Sequence, residues 1–209
     1  MKVIIFGATG TIGKLATQQM LADGHEVTAF ARNPQKLELN DPKLSIHSGD
    51  ANSAEEVAAA IKGHDAVVVT LGSGMSRSSL IRSSGTMNVI KGMQAHGVDR
   101  LICQSTLGAQ ESWSNLNFFW KRIMFGVLLR PVFRDHELQE KLVQASGLNW
   151  TIVRPGAFTD GPATDAFKEN FPPSERRLKL KISRADIAKF LARQLGDLRY
   201  ANQAVAISN

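Results

Sequence analysis

Cysteine is almost absent: Cys103 is the single one in 209 residues. That excludes a disulfide framework and a cysteine-rich zinc site. The five histidines (His25, His47, His64, His96 and His136) are scattered, with no paired metal-ligand spacing, so no metal is expected. Long apolar runs are missing as well. The first, Val3-Ile4-Ile5-Phe6, spans four residues. It is too short for a signal peptide or a membrane span, and a cytoplasmic protein is the expectation. The 17 glycines and 7 prolines are dispersed, which excludes collagen-like and linker compositions. Tyrosine occurs once, as Tyr200.

Hydrophobic residues at 43% and charged residues at 21% suit one packed domain over residues 1–209. Charge is uneven. Residues 1–105 carry 10 Lys/Arg against 9 Asp/Glu, and residues 106–209 carry 15 against 10. The densest basic run is Arg176, Arg177, Lys179, Lys181 and Arg184. A solvated face, an anionic small ligand and nucleic acid compete for it. Aromatics are not interleaved and no nucleic-acid motif is present, so nucleic acid is not an expected partner.

Apolar runs alternate with helical patterns. Strands are expected at Val3–Phe6, Glu26–Phe30, Leu44–His47, Ala66–Val69, Leu101–Cys103, Trp150–Val153 and Ala204–Ile207. Helices are expected at Thr11–Ala22, after Pro34, from Ser53, over Ser79–His96, over Asp135–Ser146 and from Ser183. Ser53 with Glu56 and Ser183 with Asp186 have capping-box spacing. Strand and helix in alternation predict an α/β fold with a doubly wound parallel sheet. Residues 156–181 read as a long irregular loop.

The strongest motif is Gly7-Ala8-Thr9-Gly10-Thr11-Ile12-Gly13, between the first strand and the first helix. Gly7 permits the tight turn. Gly10 lets backbone approach a pyrophosphate, and Gly13 lets helix and strand pack closely. Arg32 follows the second strand, where an NAD-preferring protein would carry an acid. Phe30-Ala31-Arg32-Asn33 holds no carboxylate. Arginine there suits a 2′-phosphate, or is a surface residue at a strand end.

The G-x-x-G-x-x-G spacing resembles the short-chain dehydrogenase/reductase superfamily in its atypical branch, of the kind that includes biliverdin-IXβ reductase or flavin reductase. Gly49-Asp50 after the third strand, Thr70-Leu71-Gly72 after the fourth, and the run from Asp135-His136 through Ser146-Gly147-Leu148 to Arg154-Pro155-Gly156 also match. The resemblance covers residues 1 to about 156 and the helix from Ser183. It implies a Rossmann-like domain with 107–134 and 156–181 as variable substrate-side segments. It also implies NADP(H) as cofactor, held by Gly7, Ala8, Thr9, Gly10, Thr11, Ile12, Gly13, Arg32, Asp50, Ala51, Thr70, Leu71, Gly72, Ser105, Thr106, Pro155, Gly156 and Ala157.

The superfamily's usual catalytic set is a serine with Tyr-x-x-x-Lys. Ser105 stands at the serine position, to orient nicotinamide or acceptor, or as a loop hydroxyl with a structural bond. The tyrosine and lysine positions fall on Val132 and His136. His136, with an ordinary pKa of about 6.5, is either a proton-exchanging catalytic or ligand contact, or a polar surface residue. Without a tyrosine acid, the expectation is an NADPH-dependent reductase. It passes hydride to a conjugated, anionic aromatic acceptor such as FMN, FAD or a linear tetrapyrrole, with the proton from solvent. The alternative is a non-catalytic NADP(H)-binding sensor or assembly factor. A quinone or sugar-nucleotide enzyme is a third reading, weakened in the sugar case by the absent tyrosine.

The segment 113–133 is unusually apolar. Leu116, Phe119, Trp120, Ile123 and Val127 share one face at α-helical spacing, with Phe118, Phe125 and Leu129 off it. It reads as a buried helix, a substrate lid, a subunit contact or a membrane-surface contact with its adjacent cations. The oligomeric state is left open by the sequence.

Overall fold

The structure is a computed structural model that describes every residue except Met75, Arg77 and Ser78. The chain runs β1 (Lys2–Phe6), α1 (Thr11–Ala22), β2 (Glu26–Ala31), β3 (Leu44–Ser48), α2 (Ala54–Ile61), β4 (Ala66–Val69), α3 (Ile81–His96) and β5 (Arg100–Gln104). A π-helix (Phe119–Leu128), α4 (Arg130–Gln144), β6 (Asn149–Pro155), β7 (Ala157–Thr159), β8 (Lys168–Glu169), β9 (Lys181–Ser183), α5 (Arg184–Arg193) and β10 (Gln203–Ser208) follow. The main sheet has the order β3-β2-β1-β4-β5-β6-β10-β8. Its pairings are parallel except for the edge strand β8. This is the doubly wound Rossmann-like α/β fold that the sequence predicts.

Alternation along β1 divides the core. Val3 and Ile5 face a cluster completed by α1 and α5. Ile4 and Phe6 face another with residues of α2 and α3. Strands buried on both faces need continuous apolar runs, and Ala66–Val69 is buried throughout. The chain order reverses at β1, between β2 and β4. A crevice at the carboxyl ends of β1 and β4 is therefore built into the topology.

Both predicted serine N-caps form, but in neither does the acid return to the serine amide. Ser183 Oγ accepts from the Asp186 amide at 2.9 Å. Asp186 also accepts from the Thr164 and Asp165 amides, each at 2.8 Å, tying that loop to α5. Ser53 Oγ accepts from the Glu56 amide at 3.3 Å, but Glu56 returns to the Asp50 amide at 2.8 Å rather than to Ser53.

Three expectations need correction. Residues 156–181 are not one loop. Gly156 lies so close to Leu180 that an added Cβ would be 2.8 Å from its carbonyl carbon, and β7 pairs in parallel with β9. Helix α4 starts at Arg130, with Pro131 in its first turn, where proline's missing N–H costs nothing. The 113–133 segment is not an α-helix with the expected face. Leu116, Trp120, Phe125 and Leu129 turn inward, joined by Phe133, in steps of four and five residues. Phe119, Ile123 and Val127 are exposed instead. The wider π turn, seen in the Leu129 amide donating to the Met124 carbonyl five residues back at 2.6 Å, moves every later side chain around the axis. Phe125 stacks on Phe133 with ring centroids 4.6 Å apart.

Candidate functional site

A cleft of about 470 Å³ opens at the β1/β4 crevice. Gly7 makes it possible. It has φ +89°, and a Cβ there would stand 2.6 Å from the Thr70 carbonyl oxygen. Thr70 Oγ1 donates to the Phe6 carbonyl at 3.2 Å and shares its proton with the Gly7 carbonyl at 3.3 Å, closing β4 against the turn. Gly10 precedes α1 with no side-chain cap, and the first turn has no acid. The leading N–H groups of α1 are thus left for an anion, and the helix dipole favours one. That geometry fits a dinucleotide pyrophosphate.

The cleft is lined by Gly7, Thr9, Gly10, Thr11 and Ile12 of the turn, by Arg32, Asp50 and Ala51, and by Thr70, Leu71 and Gly72. Ala8 and Gly13 do not line it. Ala8 is fully buried in the core. A Cβ on Gly13 would be 2.2 Å from the Gly7 carbonyl oxygen, so its place is packing. Arg32 is joined on the rim by Lys36, and neither pairs with a carboxylate among the described residues. Lys36, from the short 3-10 turn after Pro34, was not singled out from the sequence.

A second cavity of about 260 Å³ shares Arg82, His136 and Phe158 with the cleft. Ser105, Thr106, Pro155, Gly156 and Ala157, expected at the cofactor, line this second cavity and not the first. Leu107, Leu116, Trp120, Phe125, Leu129 and Leu180 form its apolar wall, and Val132 lies one turn before His136 on it. The two positions that correspond to tyrosine and lysine therefore face one space. Arg176, Arg177, Lys179 and Lys181 line neither space, so the basic run supplies no charge to an acceptor there. Tyr200 is remote in role, buried in the core and stacked on Phe190.

Arg82, which lines both spaces, was not singled out from the sequence either. Asp135, on α4, accepts from the Arg82 amide at 3.1 Å, the Ser83 amide at 3.0 Å and Ser83 Oγ at 2.5 Å. It thereby caps α3 from outside, and its Oδ2 lies 3.7 Å from Arg82 Nη1. No local pattern reports a cap supplied by a distant helix.

His136 is buried, and its pKa is lowered to about 3 by burial first and by the Arg82 charge second. The expectation of an ordinary titration near 6.5 is corrected: the ring is neutral at physiological pH. Gln139 Nε2 donates to Thr86 Oγ1 at 3.0 Å, so Gln139 Oε1 faces His136 Nδ1 at 3.3 Å and accepts from it. This network assigns the proton to Nδ1 and leaves Nε2 an acceptor. Cys103 is buried near Glu140, and burial with that negative charge pushes its thiol pKa far up.

Seven buried side-chain polar atoms have no hydrogen-bond partner among the described residues. Arg82 Nε, Gln104 Oε1 and Ser105 Oγ are three of them, and all three residues line one or both cavities. Unpaired buried groups are costly, and a ligand able to bond these three would relieve that cost.

Residues 7–198 match the NAD(P)H-binding family. The chain belongs to this NAD(P)H-binding family. NADP(H), expected from the sequence, is a cofactor of the kind that the family binds. An uncharacterized sugar epimerase, YhfK, of Bacillus subtilis (strain 168) is 30% identical over 219 residues, covering 98% of this chain and 92% of that protein. The oxidoreductase ylbE from Lactococcus lactis superposes with a TM-score of 0.84 at 22% identity, covering 100% of this chain and 91% of that one. ChuY, an anaerobilin reductase from Escherichia coli O157:H7, superposes with a TM-score of 0.80 at 23% identity, covering 100% and 97%. These superpositions show that the domain is Rossmann-like.

Proposed function

We propose that the protein is an NADPH-dependent reductase whose acceptor enters the second cavity. The observation that carries this reading is the shared wall. An apolar cavity meets the cofactor cleft at Arg82, His136 and Phe158, with unpaired polar atoms at the meeting place. NADPH, when bound, supplies a hydride. The chain's own residues do the rest. The Gly7–Ile12 turn holds the pyrophosphate, and Arg32 with Lys36 receives a 2′-phosphate. Ser105 and His136 Nε2 orient polar groups, and the apolar wall excludes water.

Val132 cannot transfer a proton, and neutral His136 is no acid near pH 7. Acceptors that need no side-chain acid are therefore favoured: flavins and linear tetrapyrroles, which take hydride into a conjugated system while solvent protonates. The structural likeness to an anaerobilin reductase is consistent with that class. A cavity of about 260 Å³ lies below the roughly 300 Å³ where small-molecule pockets usually begin. One flat end of such an acceptor enters it, beside the substrate-side segments 107–134 and 156–181. Arg82 supplies the cation for an acid group.

NADPH oxidation with FMN, a linear tetrapyrrole and quinones in turn tests the reading. Turnover with a flavin or tetrapyrrole is the expected result. Tight NADPH binding with no oxidation by any of them would overturn it in favour of a non-catalytic NADP(H) sensor or assembly factor.

A further inference from the structure

The π-helix has two apolar sides, and only one is covered. Leu116, Trp120, Phe125 and Leu129 pack inward. On the opposite side, the four-and-five spacing of the π turn sets out two neighbouring rows: Phe118, Arg122 and Val127, then Phe119, Ile123 and Leu128. All six residues are exposed. Phe118 is 74% and Val127 71% exposed, more than any other large hydrophobic residue described. Nothing among the described residues covers these rows, although such residues normally seek burial.

Charge says what covers them. Residues 112–134 contain Lys121, Arg122, Arg130 and Arg134 and no Asp or Glu. Arg122, Arg130 and Arg134 are exposed, and none is in an ion pair among the described residues. An apolar ridge with unpaired cations and no acid is complementary to a negatively charged lipid surface. No helix among the described residues is long and apolar enough to cross a membrane. The ten-residue π-helix would lie in the interface plane.

We propose that this face docks on an anionic lipid surface. Phe118, Phe119, Ile123, Val127 and Leu128 enter the headgroup–acyl boundary, and Arg122, Arg130 and Arg134 meet lipid phosphates. The proposal rests on surface chemistry alone and stands or falls apart from the reductase reading.

Flotation of the full chain with two vesicle preparations tests it. One is phosphatidylcholine alone, the other phosphatidylcholine mixed with phosphatidylglycerol. Binding is expected to the mixed vesicles, weakened by salt, and much less to the neutral ones. Phe118→Ser with Val127→Ser, and separately Arg122→Glu with Arg130→Glu, should each lower partitioning about tenfold or more. Thermal unfolding midpoints should barely move, because these side chains are exposed. No binding to the mixed vesicles overturns the proposal, as does binding that both double variants retain. A dimer in sedimentation that Phe118→Ser with Val127→Ser dissociates, without vesicle binding, overturns it too and assigns the face to a second copy.

Discussion

Arg154 donates from Nε and Nη2 to the two carboxylate oxygens of Glu140, at 2.9 and 2.7 Å, with both side chains buried. Glu111 meets the outer edge of the same guanidinium. The pair locks α4 to the end of β6. His136 lies one turn before Glu140, and Pro155, Gly156 and Ala157 directly follow Arg154. Two walls of the second cavity are thus held by one forked contact. Burial alone would lower the arginine's pKa, but its bonds to Glu140 and Glu111 outweigh that and raise it.

Removing one partner from a buried pair leaves an unmatched charge. Glu140→Gln is expected to cost about 3 kcal/mol in chemical denaturation. The Glu111 side chain is 60% exposed, so Glu111→Gln should cost under about 1 kcal/mol. Equal costs, or the reverse order, would show that Glu140 is not the anchor.

Ser105 separates function from stability in the opposite way. Its Oγ is buried and has no partner among the described residues. Ser105→Ala removes an unsatisfied group, so stability should hold or rise slightly. Turnover with the acceptor found in the oxidation panel should fall about ten- to a hundredfold through lost orientation. A matching loss of stability would mean that the hydroxyl serves the fold.

The cofactor cleft yields a graded series. Arg32→Asp should weaken NADPH by about ten- to a hundredfold, the worth of a charge-assisted contact, and leave NADH nearly unchanged. Isothermal titration with both cofactors measures it, and equal losses would refute a 2′-phosphate contact. Gly10→Val should abolish binding of both in a folded protein, because Gly10 lines the cleft. Gly13→Ala should damage the fold itself, with its Cβ 2.2 Å from the Gly7 carbonyl oxygen.

These contrasts follow what was legible in the sequence. The β1 turn was readable because its glycines, its strand and its helix are contiguous. The inner main-sheet strands β1, β2, β4, β5, β6 and β10 were readable because burial forces apolar runs, whereas the edge strand β3 has no buried residue and offered only the weaker alternation of Leu44 and Ile46. Strands β7, β8 and β9 have two or three residues each, too few to show a period. The π-helix was misread because the 3.6-residue period was applied to a segment whose buried residues recur every four or five. Arg82 was invisible because Asp135, which fixes the start of its helix, lies 53 residues away. Asp135-His136 was visible as a pair, but its members part in the fold: one caps α3 and the other faces the cavities.

His136 carries the pH prediction. Its folded pKa is about 3 and its unfolded value is about 6.5. Between those values the unfolded chain binds a proton that the native chain does not. Stability therefore falls as pH drops through that window, by up to about 1.4 kcal/mol per pH unit, and the full contribution is present only above about 6.5. His136→Gln keeps a neutral polar side chain and should flatten this part of the acid limb in denaturant titrations from pH 7 to 4. Turnover of the unmodified protein should show no limb near pH 6.5 that the variant loses, since the ring does not titrate there. Tyr200→Phe should leave turnover unchanged, because its ring is buried on Phe190 and lines neither cavity. A rate limb near neutrality that vanishes in His136→Gln would establish a side-chain acid and remove the reason for favouring acceptors protonated by solvent. The nucleotide cleft built on Gly7 and Gly10 would be untouched by that outcome.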